Sequence, residues 1–177
     1  MSEFIDRSRL QDVEAWEAAR RYSPETLTKA REILEKVIHG ADVFEMIRKY
    51  PVPNQGNVAK HALVLTYRDM VKKGEIAEDP KLLAKIRMKP TRTLSGVTTV
   101  TVLTCPFPCP GNCIFCPDDA RMPKSYLPDE PGAARAFQNN FDPYDQVLSR
   151  ITAYNAVGHP TDKIELLILG GSWTSYP

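Results

Sequence analysis

The sequence predicts an α/β protein in two parts: a helical N-terminal region over 1–92 and the first βαβ part of a parallel-sheet domain over 93–177. Three observations predict it. Apolar residues recur at helical spacing with start and stop signals through the first half; two β-branched or aliphatic runs of strand length stand at 97–103 and 163–169; and a helix-like segment lies between them. Strand, helix and strand in that order imply a parallel sheet whose functional loops lie at the strand C-terminal ends.

A polar, amphipathic stretch covers 2–21. Ser23 is a good N-cap with Pro24 at the first helical position, Leu27, Ile33, Leu34 and Val37 supply the apolar stripe, and Gly40 is the stop. A short helix over 41–50 ends at Pro51-Val52-Pro53, and 54–56 make a turn. Val58, Ala62, Leu65, Tyr67 and Met70 predict another helix closed by Gly74, and Asp79-Pro80 opens one that runs through Met88. The run Val97-Thr98-Thr99-Val100-Thr101-Val102-Leu103 reads as a strand. A polar, Pro-rich loop over 117–142 follows, then Pro143 opens a helix over 144–157 that Gly158-His159-Pro160 ends. The second strand, 163–169, runs into Gly170-Gly171-Ser172.

Composition narrows the class. With 42% apolar and 25% charged residues among 177, the chain is neither disordered nor collagen-like. No apolar run approaches the ~18 to 20 residues of a spanning helix, and the N-terminus lacks the basic-then-apolar order of a signal peptide, so a cytosolic protein without a membrane partner is expected. Twenty-three Lys and Arg against 22 Asp and Glu leave a net charge of +1, but the charge is uneven. Residues 1–59 carry nine basic and ten acidic side chains, whereas 60–92 carry nine basic and four acidic. The basic density rises towards Lys85, Arg87, Lys89 and Arg92, with no acid among them. Such a run is either a solvated helix face or an electrostatic footprint for a phosphate backbone.

All four cysteines fall within 12 residues: Cys105, Cys109, Cys113 and Cys116. Clustering on one loop argues for metal rather than for disulfides, which staple distant segments. Structural zinc sites usually join two C-x2-C pairs from separate segments, and this loop has one such pair. Three closely spaced thiolates can instead hold three irons of a cubane and leave the fourth iron open. A one-loop zinc site using all four cysteines and a set of inert thiols are the alternatives at this point. His39, His61 and His159 are isolated in sequence and read as packing or turn residues, as do Tyr126 and Tyr154.

The spacing C-x3-C-x2-C after a first strand resembles the radical S-adenosylmethionine (SAM) superfamily. That resemblance implies a partial TIM barrel in which Cys109, Cys113 and Cys116 hold a 4Fe-4S cluster and SAM chelates the remaining iron. It also implies that Phe115 packs near the adenine and that Gly170, Gly171 and Ser172 line the SAM site. Cys105 lies outside the pattern, as a thiol beside the ligands or, less in keeping with an open iron, as a fourth ligand. Trp173 is assigned either to that pocket or to a barrel wall.

The likeness is closer still over Lys89 to Val97, Cys109 to Pro117, Tyr126 to Pro131, Arg135-Ala136, Asp142-Pro143-Tyr144 and Gly170 to Pro177. Together these resemble the elongator protein 3 family, with Ser172 where that family commonly has threonine. The resemblance implies a tRNA-binding helical region over 1–92, with Lys85, Arg87, Lys89 and Arg92 on the RNA. It further implies carboxymethylation at C5 of the wobble uridine, with SAM as cofactor and acetyl-CoA as co-substrate. Since 82 residues follow position 95, against ~250 for a full eight-stranded barrel, the chain is expected to be an N-terminal fragment that ends before the barrel is complete and lacks the acetyltransferase domain. Its expected partners are tRNA and either the remaining part of the enzyme or a second copy. The alternatives are a non-catalytic RNA-binding remnant and a radical SAM enzyme acting on another substrate class.

Overall fold

The computed structural model describes residues 21–117 and 119–177; the stretch predicted over 2–21 lies outside them but for Arg21. The described residues form an α/β structure in two compact units. One runs up to Pro90 and includes Ala156–His159; the other comprises Thr91–Asn155 and Pro160–Pro177.

The first unit is helical, and its sequence signals act where they are expected. Helix α1 (Pro24–Ile38) starts at Ser23, whose hydroxyl accepts from the Thr26 N–H, and Gly40 takes the positive φ that ends it. Helix α2 (Val43–Lys49) is capped by the Asp42 side chain. Asn54 and Gly56 both have positive φ in the turn closed by the Val52–Gly56 bridge. Helix α3 is Lys60–Lys72 and helix α4 is Pro80–Ile86, the latter capped by Asp79 and two residues shorter than the sequence predicts. The core is built from Ala30, Ile33, Leu34 and Val37 of α1 against Ala62, Leu63, Val64 and Tyr67 of α3, joined by Leu82 and Ile86 of α4. His61 packs edge-on against Tyr22 and its Nδ1 lies 3.2 Å from the tyrosine hydroxyl.

In the second unit, β1 (Thr98–Leu103) and β2 (Ile164–Leu169) pair in parallel, in register from Thr98–Ile164 to Leu103–Leu169. Between them stand two helices where the sequence predicts one. The predicted helix is present as α6 (Pro143–Ala156), but the segment read as loop also holds α5 (Pro131–Gln138). Pro131 at its first position is the start signal; only eight residues long and carrying Gly132, the helix is too short to show a period. Packing supplies what propensity lacks: Ala133 and Ala136 are fully buried against Leu103 and Met122.

The two strands differ in cover. Thr98, Val100, Val102 and Leu103 of β1 are buried, whereas Leu166, Leu167 and Ile168 of β2 are 54%, 42% and 44% exposed. The edge of β1 away from β2 is met by α6: Gln146 bonds both the N–H and the carbonyl of Leu103, and the Tyr154 hydroxyl donates to the Thr99 carbonyl at 3.2 Å. No helix among the described residues is long and apolar enough to cross a membrane.

Candidate functional site

Parallel pairing sends both strands into loops at the same end of the sheet. After Leu103 comes the cysteine loop, and after its register partner Leu169 comes Gly170-Gly171-Ser172. The Thr104 N–H still bonds the Leu169 carbonyl at 2.9 Å, so the two loops part from one point. Glycine is required there, because a Cβ at Gly170 would overlap the Thr104 side chain.

The loops touch at the first predicted ligand. Cys109 Sγ lies 3.3 Å from Ser172 Oγ and accepts the Gly111 N–H at 3.4 Å. The Ser172 hydroxyl, then the Gly111 N–H, and more weakly the Lys124 charge hold the Cys109 thiol below the usual thiol range. Gly111 sits against a second ligand as well: a Cβ there would be 3.6 Å from Cys109 Sγ and 3.7 Å from Cys113 Sγ. Cys116 follows a tight turn, its N–H bonded to the Cys113 carbonyl at 3.1 Å, and its sulfur lies 3.6 Å from Ser125 Oγ. Cys105 is exposed, and its carbonyl accepts from the Tyr176 hydroxyl at 3.4 Å.

All four thiols are free. Among the described residues no three His, Cys, Asp or Glu side chains converge closely enough to hold a metal ion. The donor chemistry nevertheless fits a thiolate-held iron–sulfur group: soft, accessible sulfurs on one loop, two of them flanking one glycine, and one already eased towards thiolate. Phe115 stands at the loop tip, 91% exposed, beside an equally exposed Ile114. The Gly171 N–H donates to the Tyr176 hydroxyl at 3.2 Å. Trp173 is exposed and tilted against Tyr176.

The four basic residues singled out by sequence are not equivalent. Lys85 and Lys89 of the first unit are exposed, as is Arg92 on the 3-10 turn Pro90–Thr93 of the second. Arg87 is half-buried, and its Nε donates to the Gly158 carbonyl at 2.7 Å. Lys60 ties the end of α4 by reaching the Lys85 and Arg87 carbonyls at 3.3 and 3.4 Å, while its ammonium lies 4.2 Å from the Phe44 ring centroid. Burial there lowers the Lys60 pKa. In the second unit the Arg150 guanidinium stacks 4.1 Å over the Tyr154 ring and bonds its hydroxyl at 2.8 Å. The Arg135 pKa is lowered, first by burial and then by the positive charges of Arg150 and Arg92. Charge density along the chain could not reveal this grouping, because its members come from three separate segments.

No family model matches the chain. Among curated proteins it is 49% identical over 87 residues to the tRNA uridine(34) acetyltransferase of Dehalococcoides mccartyi (strain CBDB1), covering 49% of this chain and 19% of that protein. It is 50% identical over 103 residues to the tRNA uridine(34) acetyltransferase of Methanocaldococcus infernus, covering 54% and 19%. With the Elongator complex protein 3 of Schizosaccharomyces pombe the identity is 38% over 107 residues, covering 54% and 20%. The matched part of the chain thus spans about a fifth of the length of these relatives. Over about half of its length, the chain is homologous to the proteins named tRNA uridine(34) acetyltransferase and Elongator complex protein 3.

Proposed function

We propose that this chain carries the cluster and SAM half-site, and part of the tRNA-binding surface, of a radical SAM enzyme that carboxymethylates C5 of the tRNA wobble uridine with acetyl-CoA as co-substrate. The observation that carries the reading is the contact of Cys109 with Ser172, which joins the C-x3-C-x2-C loop after β1 to the glycine loop after β2. The names of the relatives support the substrate class.

A 4Fe-4S cluster with SAM supplies, when bound, a reductively generated carbon radical. In this reading Cys109, Cys113 and Cys116 hold the cluster, and the residues around them prepare the site. Ser172 and the Gly111 N–H stabilise the thiolate form that ligation requires. The backbone of Gly170 and Gly171 would contact the amino group of SAM. Exposed Phe115 would pack near the adenine. Lys85 and Lys89 of the first unit, and Arg92, Arg135 and Arg150 of the second, neutralise RNA phosphates in a salt-dependent manner. Arg87 instead holds its own loop in place.

Anaerobic reconstitution with iron and sulfide tests the reading. About four of each per chain, with no zinc, is the expected result. One zinc and no sulfide would overturn it in favour of an RNA-binding remnant.

A further inference from the structure

We propose that Tyr176 is a clasp that fixes the cysteine loop against the glycine loop, acting as a positioning residue for the thiolate site. This rests on the function proposed above.

Tyr176 follows the 3-10 turn Trp173–Ser175, and its hydroxyl meets three separate segments. It accepts from Thr104 Oγ1 at 2.8 Å at the end of β1, accepts from the Gly171 N–H at 3.2 Å in the loop after β2, and donates to the Cys105 carbonyl at 3.4 Å where the cysteine loop begins. A phenol has one proton and two lone pairs, so this hydroxyl is fully used. The ring is seated as well: its centroid is 5.2 Å from that of Phe107, inside the cysteine loop, and 6.3 Å from that of Trp173.

The geometry suits a clasp better than a simple packing residue. The cysteine loop has no helix or strand from Thr104 to Pro117, so its position is set by point contacts. Three of these share one oxygen, and they are coupled, because moving that oxygen away from any one segment strains the other two. The Cys109–Ser172 contact spans the same two loops and has Tyr176 close to it in sequence. Sites that bind by thiolate geometry require their supporting contacts to hold the ligands within about half an ångström, and the clasp supplies such contacts.

The test is Tyr176→Phe in the 177-residue chain, which removes one oxygen and keeps the ring. In the metal-free protein, the iodoacetamide reaction of Cys109 at fixed pH, followed by peptide mass spectrometry, should change about threefold or more as the Ser172 contact loosens. In the reconstituted protein, the electron paramagnetic resonance signal of the reduced cluster should broaden and respond less to added SAM, with far-ultraviolet circular dichroism unchanged. Thr104→Val removes one of the three bonds and should give an intermediate effect; it decides the matter if Tyr176→Phe does not fold. Wild-type alkylation and a wild-type cluster signal in these variants would overturn the clasp. If the unaltered chain takes up neither iron nor sulfide, the cluster reading fails, and the alkylation comparison alone still decides whether Tyr176 positions Cys109.

Discussion

The side-chain amide of Gln146 pairs with the backbone of Leu103 as a neighbouring strand would: its Oε1 accepts the Leu103 N–H and its Nε2 donates to the Leu103 carbonyl, both at 2.9 Å. Gln146 is 5% exposed and Leu103 2%, so water is a poor substitute for either bond. Gln146→Leu, which keeps the approximate size and removes both partners, should cost about 2 to 4 kcal/mol, because two buried backbone groups lose their bonds. Urea unfolding followed by circular dichroism measures the loss; a change within about 0.5 kcal/mol, the range of an ordinary surface substitution, would contradict it.

The Cys109 thiol offers a pH test. Its pKa is lowered chiefly by the Ser172 hydroxyl, so the thiolate forms at lower pH than it would without that partner. Ser172→Ala should therefore shift the midpoint of Cys109 alkylation to higher pH in the metal-free chain and slow the reaction at neutral pH. Alkylation profiles that coincide for the two proteins would remove Ser172 from this role.

Binding of tRNA should separate the four basic residues named from sequence. Lys85→Ala, Lys89→Ala and Arg92→Ala should each weaken binding and reduce the slope of log affinity against log salt by about one. Arg135→Ala should do the same, whereas Arg150→Ala should also lower the unfolding midpoint, because its guanidinium holds the Tyr154 hydroxyl. Arg87→Ala should instead lower the unfolding midpoint with little change of slope, because its guanidinium serves the Gly158 carbonyl. Fluorescence anisotropy over a salt series reads both quantities.

Gly170→Ala should cost about 1 to 3 kcal/mol of stability, or force the loops apart with loss of iron uptake, since the new methyl would overlap Thr104. Thermal melting and iron content after reconstitution distinguish the two results. A variant that matches the unaltered chain in both would show that the loops separate freely.

Local signals in the sequence located much of the fold. Ser23 and Asp79 each cap the helix that their position announces, and Gly40 and Gly74 take positive φ as stops should. Both strands were equally legible, because β-branched and aliphatic runs of that length between turn signals have few other readings. Features created by tertiary contact were not. Helix α5 depends on burying Ala133 and Ala136, Gln146 reads as an ordinary helix residue until Leu103 lies beside it, and Tyr176 is one aromatic among 15 until its hydroxyl meets Thr104, Gly171 and Cys105. Arg87 shows the converse: sequence gave it the same weight as Lys85 and Lys89, and only the fold reveals that its charge is already engaged.

The contrast between β1 and β2 gives the sheet a direction. At β1, side chains of α6 occupy backbone groups that an added strand would need, whereas β2 keeps Leu166, Leu167 and Ile168 open to solvent. A strand laid against β1 must first displace Gln146 and Tyr154, whereas no strand among the described residues pairs with the other edge of β2. Parallel addition also needs a crossover of about a dozen residues or more, so growth beside β2 proceeds in whole helix-and-strand increments. The sheet is thus a ratchet, sealed behind and receptive ahead.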